Sequence, residues 1–151
     1  MKDLVSQIKD LCSGESSETR LYERAVDCIF DVADHYDWVG IYRVEGEELV
    51  LTGWRGPQPT EHRRIPLAEG VCGFAATNGQ TVVVDDVNAD PRYLACFPNT
   101  RSEIVVPIIA GEEVVAEIDI DSDTPAAFSS SDRATLELVA DLIGLRVSQL
   151  R

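Results

Sequence analysis

Two β-branched runs, Glu103 to Ile109 and Val114 to Asp121, are separated only by a turn at Ala110-Gly111-Glu112. A connection that short can join antiparallel neighbours, whereas parallel strands need a crossover of a dozen or more residues. The chain is therefore committed to an antiparallel sheet. Upstream, Trp38 to Val44 and Leu49 to Trp54 flank Glu45-Gly46-Glu47-Glu48 and read as a second hairpin. Arg63 to Leu67, after the break at Gly56-Pro57-Gln58-Pro59, reads as a short edge segment, and Thr81 to Val84 as a compact strand.

Helical spacing predicts the elements that cover this sheet. Two helical stretches open the chain, the second carrying Leu21, Ala25, Cys28, Ile29 and Val32 on a buried stripe. A short helix over 74–78 ends at Gly79, a residue suited to the left-handed conformation that stops helices. The last helix begins after Phe128 with Ser129 as its cap and Asp132 in its first turn, and it lines up Leu136, Val139, Ile143, Val147 and Leu150. Between Asp85 and Thr100 runs a long connection holding Asp90-Pro91 and Phe97-Pro98, and long loops inside compact domains are often functional. The order predicts an α/β (α+β) fold in which helices cover an antiparallel sheet. Its 151 residues suit one domain spanning the chain, with 1–18 as an N-terminal helical extension.

A net charge of −14 excludes two classes of partner, because such a field repels phosphate backbones and anionic headgroups. Neither nucleic acid nor membrane is expected. No apolar run reaches the roughly 20 residues that span a bilayer, and the opening residues lack a signal-peptide core, so a cytoplasmic protein is expected. Lys2 and Lys9 are the sole lysines, the remaining basic residues being arginine; with so many carboxylates this suggests a halophilic, high-salt cytoplasm.

The four cysteines are Cys12, Cys28, Cys72 and Cys96, and no pair has CxxC spacing. With only His35 and His62 beside them, a zinc site would need an irregular mixture of ligands, so no metal is expected. Cys28 is assigned to packing and Cys12 to no function. Cys72 lies between two glycines at the start of the short helix, where free backbone N–H groups should lower its pKa. Cys96 lies in the long loop with Arg92 and Arg101 near in sequence. Strand parity puts Trp38, Gly40 and Tyr42 on one face, with a gap between the rings, and aligns Glu117, Asp119 and Asp121 opposite Ile118 and Ile120. The rings serve equally well as core, the acidic row as solvated surface and each thiol as an idle one; spacing alone does not separate these readings.

Trp38-Val39-Gly40-Ile41-Tyr42, Arg64-Ile65-Pro66, Gly70-Val71-Cys72-Gly73, Ala95-Cys96, Ser102 to Pro107 and Asp119-Ile120-Asp121 together resemble the free methionine-(R)-sulfoxide reductases, a family built on the GAF fold. The resemblance covers about residues 20 to 150. It implies a six-stranded antiparallel sheet flanked by helices, with N- and C-terminal helices packed together, an enclosed pocket and a homodimer. It also implies an oxidoreductase that reduces free methionine-(R)-sulfoxide through a sulfenic acid and then a disulfide, with no cofactor beyond an external dithiol such as thioredoxin. On that pattern Cys96 attacks, Cys72 is its partner, and Trp38, Tyr42, Glu103, Asp119 and Asp121 hold substrate. One position departs from it: the family commonly carries a third cysteine where this chain has His62. Two other readings remain, a non-catalytic GAF module sensing a small ligand, and a thiol redox switch formed by Cys72 and Cys96.

Overall fold

The structure is a computed structural model that describes residues 3–95 and 97–151. Helices α1 (Leu4–Gly14) and α2 (Glu18–Val32) open the chain, each N-terminus capped by a side chain, Asp3 and Ser17 respectively, that accepts from a backbone N–H. The hairpin β1 (Trp38–Glu45) and β2 (Glu48–Arg55) follows, turning at Gly46 with φ +61°. Then come β3 (Arg64–Pro66), α3 (Gly70–Asn78), β4 (Val82–Val84), a 3-10 turn over Val87–Ala89, the hairpin β5 (Ser102–Ala110) and β6 (Glu113–Ser122), and α4 (Ser130–Leu150). The six strands form one sheet in the order β3-β2-β1-β6-β5-β4, with every neighbouring pair antiparallel.

The alternation of side chains divides the interior into two cores. On one face, Val39 and Ile41 of β1, Ile104, Val106 and Ile108 of β5, and Ile118 and Ile120 of β6 pack against α1, α2 and α4. On the other, Trp38, Tyr42, Leu49, Ile65, Val82, Val84 and Val105 pack under Val71, Cys72, Ala75 and Ala76 of α3. The sheet is thus the middle of three layers, and both of its faces are covered.

The terminal helices meet as expected, the Arg146 guanidinium donating twice to the Glu15 carbonyl at 3.0 and 2.8 Å. Since Leu4, Ile8 and Leu11 lie in the main core, α1 belongs to the packed body of the domain. The N-terminus of α4 carries the expected cap in full: Ser129 Oγ accepts from Asp132 N–H, and the Asp132 carboxylate accepts from Ser129 N–H.

Three sequence expectations need correction. Val32 is 43% exposed and Cys28 half-buried, so the stripe of α2 is completed instead by Tyr22 and Val26. Helix α3 begins four residues before Phe74, at Gly70, whose φ of +73° reverses the chain into the helix. Leu150 is only partly buried.

Candidate functional site

The site is built on β6, the central strand of the acidic row. Its register sets Glu117 beside Tyr42, Asp119 beside Gly40 and Asp121 beside Trp38 on β1, while β5 places Glu103 beside Asp121 and Val105 beside Asp119. Rows of aromatic and acidic side chains therefore run side by side on the face covered by α3. Burial decides between a solvated row and a site: Glu117 is 0% exposed, Asp119 and Asp121 2%, and Glu103 5%. Water does not solvate these carboxyls.

Buried polar atoms normally find hydrogen-bond partners. Here both oxygens of Glu117, Oδ1 of Asp119, Oδ1 of Asp121 and the indole Nε1–H of Trp38 have no aligned partner among the described residues. Burial, reinforced by the charge of Asp119, pushes the carboxyls of Glu117 and Asp121 well above the ordinary range. Asp119 is also raised by burial, a shift opposed by its interactions with Glu103 and Cys72. The Cys72 thiol, which interacts with the Glu117 side chain, similarly opposes the rise there. Burial thus favours the protonated form of Glu117, Asp119 and Asp121 more than water does.

Cys72 occupies the first turn of α3, and its helix is held close to the β3–α3 turn because Gly73 lacks a Cβ; a built Cβ there would lie 2.7 Å from the Leu67 carbonyl oxygen. The thiol is buried beneath the helix, and its pKa is raised well above the ordinary thiol range, first by burial and then by the charges of Asp119, Glu117 and Glu103. The expected lowering by the helix N-terminus is therefore wrong: desolvation among carboxylates outweighs a dipole effect of at most about 2 kcal/mol. Cys72 is a protonated thiol at neutral pH. Cys96 lies outside the described residues. Its sequence neighbour Arg92 is committed elsewhere, bound to Asp90 at 2.6 and 3.0 Å and stacked 4.6 Å from the Phe74 ring centroid.

The rings are arranged differently from the expected open pair. The indole of Trp38 folds over Gly40, where a Cβ would collide with its six-membered ring, and thus fills the space toward Tyr42. Phe97 covers Trp38 with centroids 5.6 Å apart, and Trp54 stacks beyond it at 6.4 Å. The Tyr42 hydroxyl donates to the His62 carbonyl at 2.7 Å, and His62 Nε2 meets the Ala95 carbonyl at 2.9 Å. His62 therefore ties the 85–101 connection to the sheet, a contact that nothing in the sequence pattern announced.

Two small cavities lie on this face. One, about 10 Å³, is lined by Cys72, Glu103, Asp119, Ile65, Val71 and Leu94. The other, about 40 Å³, is bounded by Trp38, Phe97, Asp121 and Asp37 among others. Each has room for water and not for an amino acid. Cys72, Glu103 and Asp119 are brought together, with Asp121 and Trp38 next to them. Glu117 is a site residue that the resemblance did not supply, although strand parity had placed it in the acidic row.

The whole arrangement falls within a GAF domain, whose family model matches residues 22–147. A curated free methionine-R-sulfoxide reductase of Escherichia coli is 30% identical over 93% of this chain and 84% of its own length. Among solved structures, the type II free methionine-R-sulfoxide reductase of Thermoplasma acidophilum is 38% identical, with a TM-score of 0.82 over 95% of this chain and 96% of that one. The free methionine-R-sulfoxide reductase of Neisseria meningitidis, solved in complex with its substrate, is 33% identical, with a TM-score of 0.89 over 97% of this chain and 87% of that one. The chain belongs to the free methionine-(R)-sulfoxide reductase family of GAF domain proteins.

Proposed function

We propose that the protein reduces the (R)-sulfoxide of free methionine, as its named relatives do, in the cytoplasm and with a thioredoxin-like dithiol as reductant. The observation that carries this reading is the set of polar atoms on Glu117, Asp119, Asp121 and Trp38 that are buried on one face beside a thiol and find no hydrogen-bond partner among the described residues. Free methionine sulfoxide supplies complementary groups: an ammonium for carboxylates among Glu103, Asp119 and Asp121, and a methyl for the rings of Trp38 and Tyr42. A methionine inside a peptide has no such ammonium, and its binding would leave buried carboxylates unpaired. Because the cavities are smaller than the substrate, Leu94 and Phe97 of the 85–101 connection must swing away on entry.

The chemistry assigns the two thiols different tasks. Cys72, held protonated, is a poor attacking group at neutral pH, which leaves attack to Cys96. The Cys96 thiolate attacks the sulfoxide sulfur while a protonated carboxyl, Asp121 or Glu103, donates to the oxygen. The net transfer converts thiol and sulfoxide into sulfenic acid and methionine. Cys72 then attacks the sulfenic acid, giving up its proton to an adjacent carboxylate, and a disulfide and water result. An external dithiol reopens the disulfide. A homodimer accompanies this reading, formed through the exposed Leu138 and Leu145 of α4.

Cysteine variants test the assignment. Cys96→Ser should lose turnover of methionine-(R)-sulfoxide, while Cys12→Ser and Cys28→Ser keep it. Cys72→Ser should convert one equivalent and then stall with a dithiol. An active Cys96→Ser protein would refute the attacking group, and unchanged cycling of Cys72→Ser would refute the resolving one.

A further inference from the structure

His62 marks the position at which the sequence departs from the family pattern, and the proposed reaction gives it no task. Its backbone is held from two sides. The His62 N–H donates to Thr60 Oγ1 at 3.0 Å, and its carbonyl accepts from the Tyr42 hydroxyl at 2.7 Å. Thr60 and Tyr42 are both buried, and the carbonyl of the next residue, Arg63, accepts from Leu51 N–H at 2.9 Å. The imidazole therefore projects from a base fixed to β1 and β2. Its Nε2 lies 2.9 Å from the Ala95 carbonyl oxygen, and because a carbonyl only accepts, Nε2 carries the proton and donates.

This bond falls at a particular point of the 85–101 connection. Leu94, just before Ala95, lines the cavity at Cys72, Glu103 and Asp119, while the Phe97 ring packs 5.6 Å from that of Trp38. Apolar contacts of this kind hold the connection down but are non-directional. The hydrogen bond is directional, and it acts on the carbonyl of the peptide bond between Ala95 and Cys96. We propose that His62 is a positioning residue for sulfoxide reduction: it holds that peptide unit against the sheet and so sets where the attacking thiol meets substrate bound on β1, β5 and β6. The inference rests on the functional reading above, with Cys96 as the attacking group. His62 acts through the backbone of the connection, and no proton passes through the imidazole. Rate is sensitive to such placement, since a displacement of about 1 Å can cost about 100-fold.

First-turnover kinetics test the role. Reduced protein without external reductant is mixed with methionine-(R)-sulfoxide at several concentrations, and formation of the first equivalent of methionine is timed. In parallel, tryptic cleavage after Arg92 and Arg101 is followed by mass spectrometry, with circular dichroism to establish folding. His62→Ala should slow the first turnover about 10–100-fold and shift the half-saturating concentration by less than about threefold, because the groups that bind substrate are untouched. It should also be cut faster at Arg92. His62→Gln carries an N–H donor the same number of bonds from Cβ as Nε2 and should restore both properties. Should His62→Ala fail to fold, His62→Asn, whose donor is one bond shorter, takes its place. A wild-type first-turnover rate in the folded variant, or a loss that His62→Gln does not repair, would overturn the role. If wild-type protein itself forms no methionine, the functional reading has failed separately; faster cleavage of His62→Ala, repaired by His62→Gln, then still upholds the hold on the connection, and equal cleavage overturns it.

Discussion

Glu117 shows how far alternation along a strand can be read. The spacing of Glu117, Asp119 and Asp121 against Ile118 and Ile120 fixes that the three carboxyls share a face, and the structure bears this out. What spacing does not contain is the cover on that face, because α3 reaches it only through the fold. The same missing cover explains why a lowered pKa was expected for Cys72. Burial has a measurable consequence at Glu117. Its folded-state pKa lies above its unfolded value, so the native state keeps a proton that the unfolded chain releases. The resulting stability is fully present below the unfolded pKa of about 4.3 and is lost as pH rises through the raised one. Wild-type protein should therefore lose more melting temperature than Glu117→Gln between roughly pH 5 and pH 8. Parallel melting curves across that range would show that Glu117 is ionised in the native state.

Among elements, the two long hairpins, the edge segment and the capped last helix were legible because each rests on a local pattern: alternation, a tight turn, or a cap. Helix α3 was legible only in its second half, since glycines at 70 and 73 look like loop residues until the helix is seen lying against the Leu67 carbonyl. Glycine in α4 has a comparable reason that the sequence alone hides. At Gly144 the helix approaches β5 so closely that a Cβ would collide with the Ile109 carbonyl oxygen and stand 3.0 Å from its carbon. Both obstacles are backbone atoms of a paired strand, which cannot rotate aside. Gly144→Ala should accordingly lower stability by about 1–3 kcal/mol, an overpacking cost that outweighs the gain in helix propensity. Urea unfolding measures it, and an unchanged or higher midpoint would mean that α4 and β5 are less tightly apposed than described.

For the whole molecule, the resemblance contributed what local patterns could not: which residues of separate elements meet. Glu103, Asp119 and Cys72 come from β5, β6 and α3, and they converge only because the sheet order interleaves early and late strands. The −14 net charge bears on any assay, since self-repulsion favours expansion in dilute buffer and is screened as salt rises. The decisive measurement is methionine formed from each sulfoxide epimer of the free amino acid, with a dithiol present, in both dilute and concentrated salt. The (R) epimer should be converted catalytically in at least one of these conditions while the (S) epimer is left intact. Folded protein that forms no methionine from the (R) epimer under either condition would contradict the account.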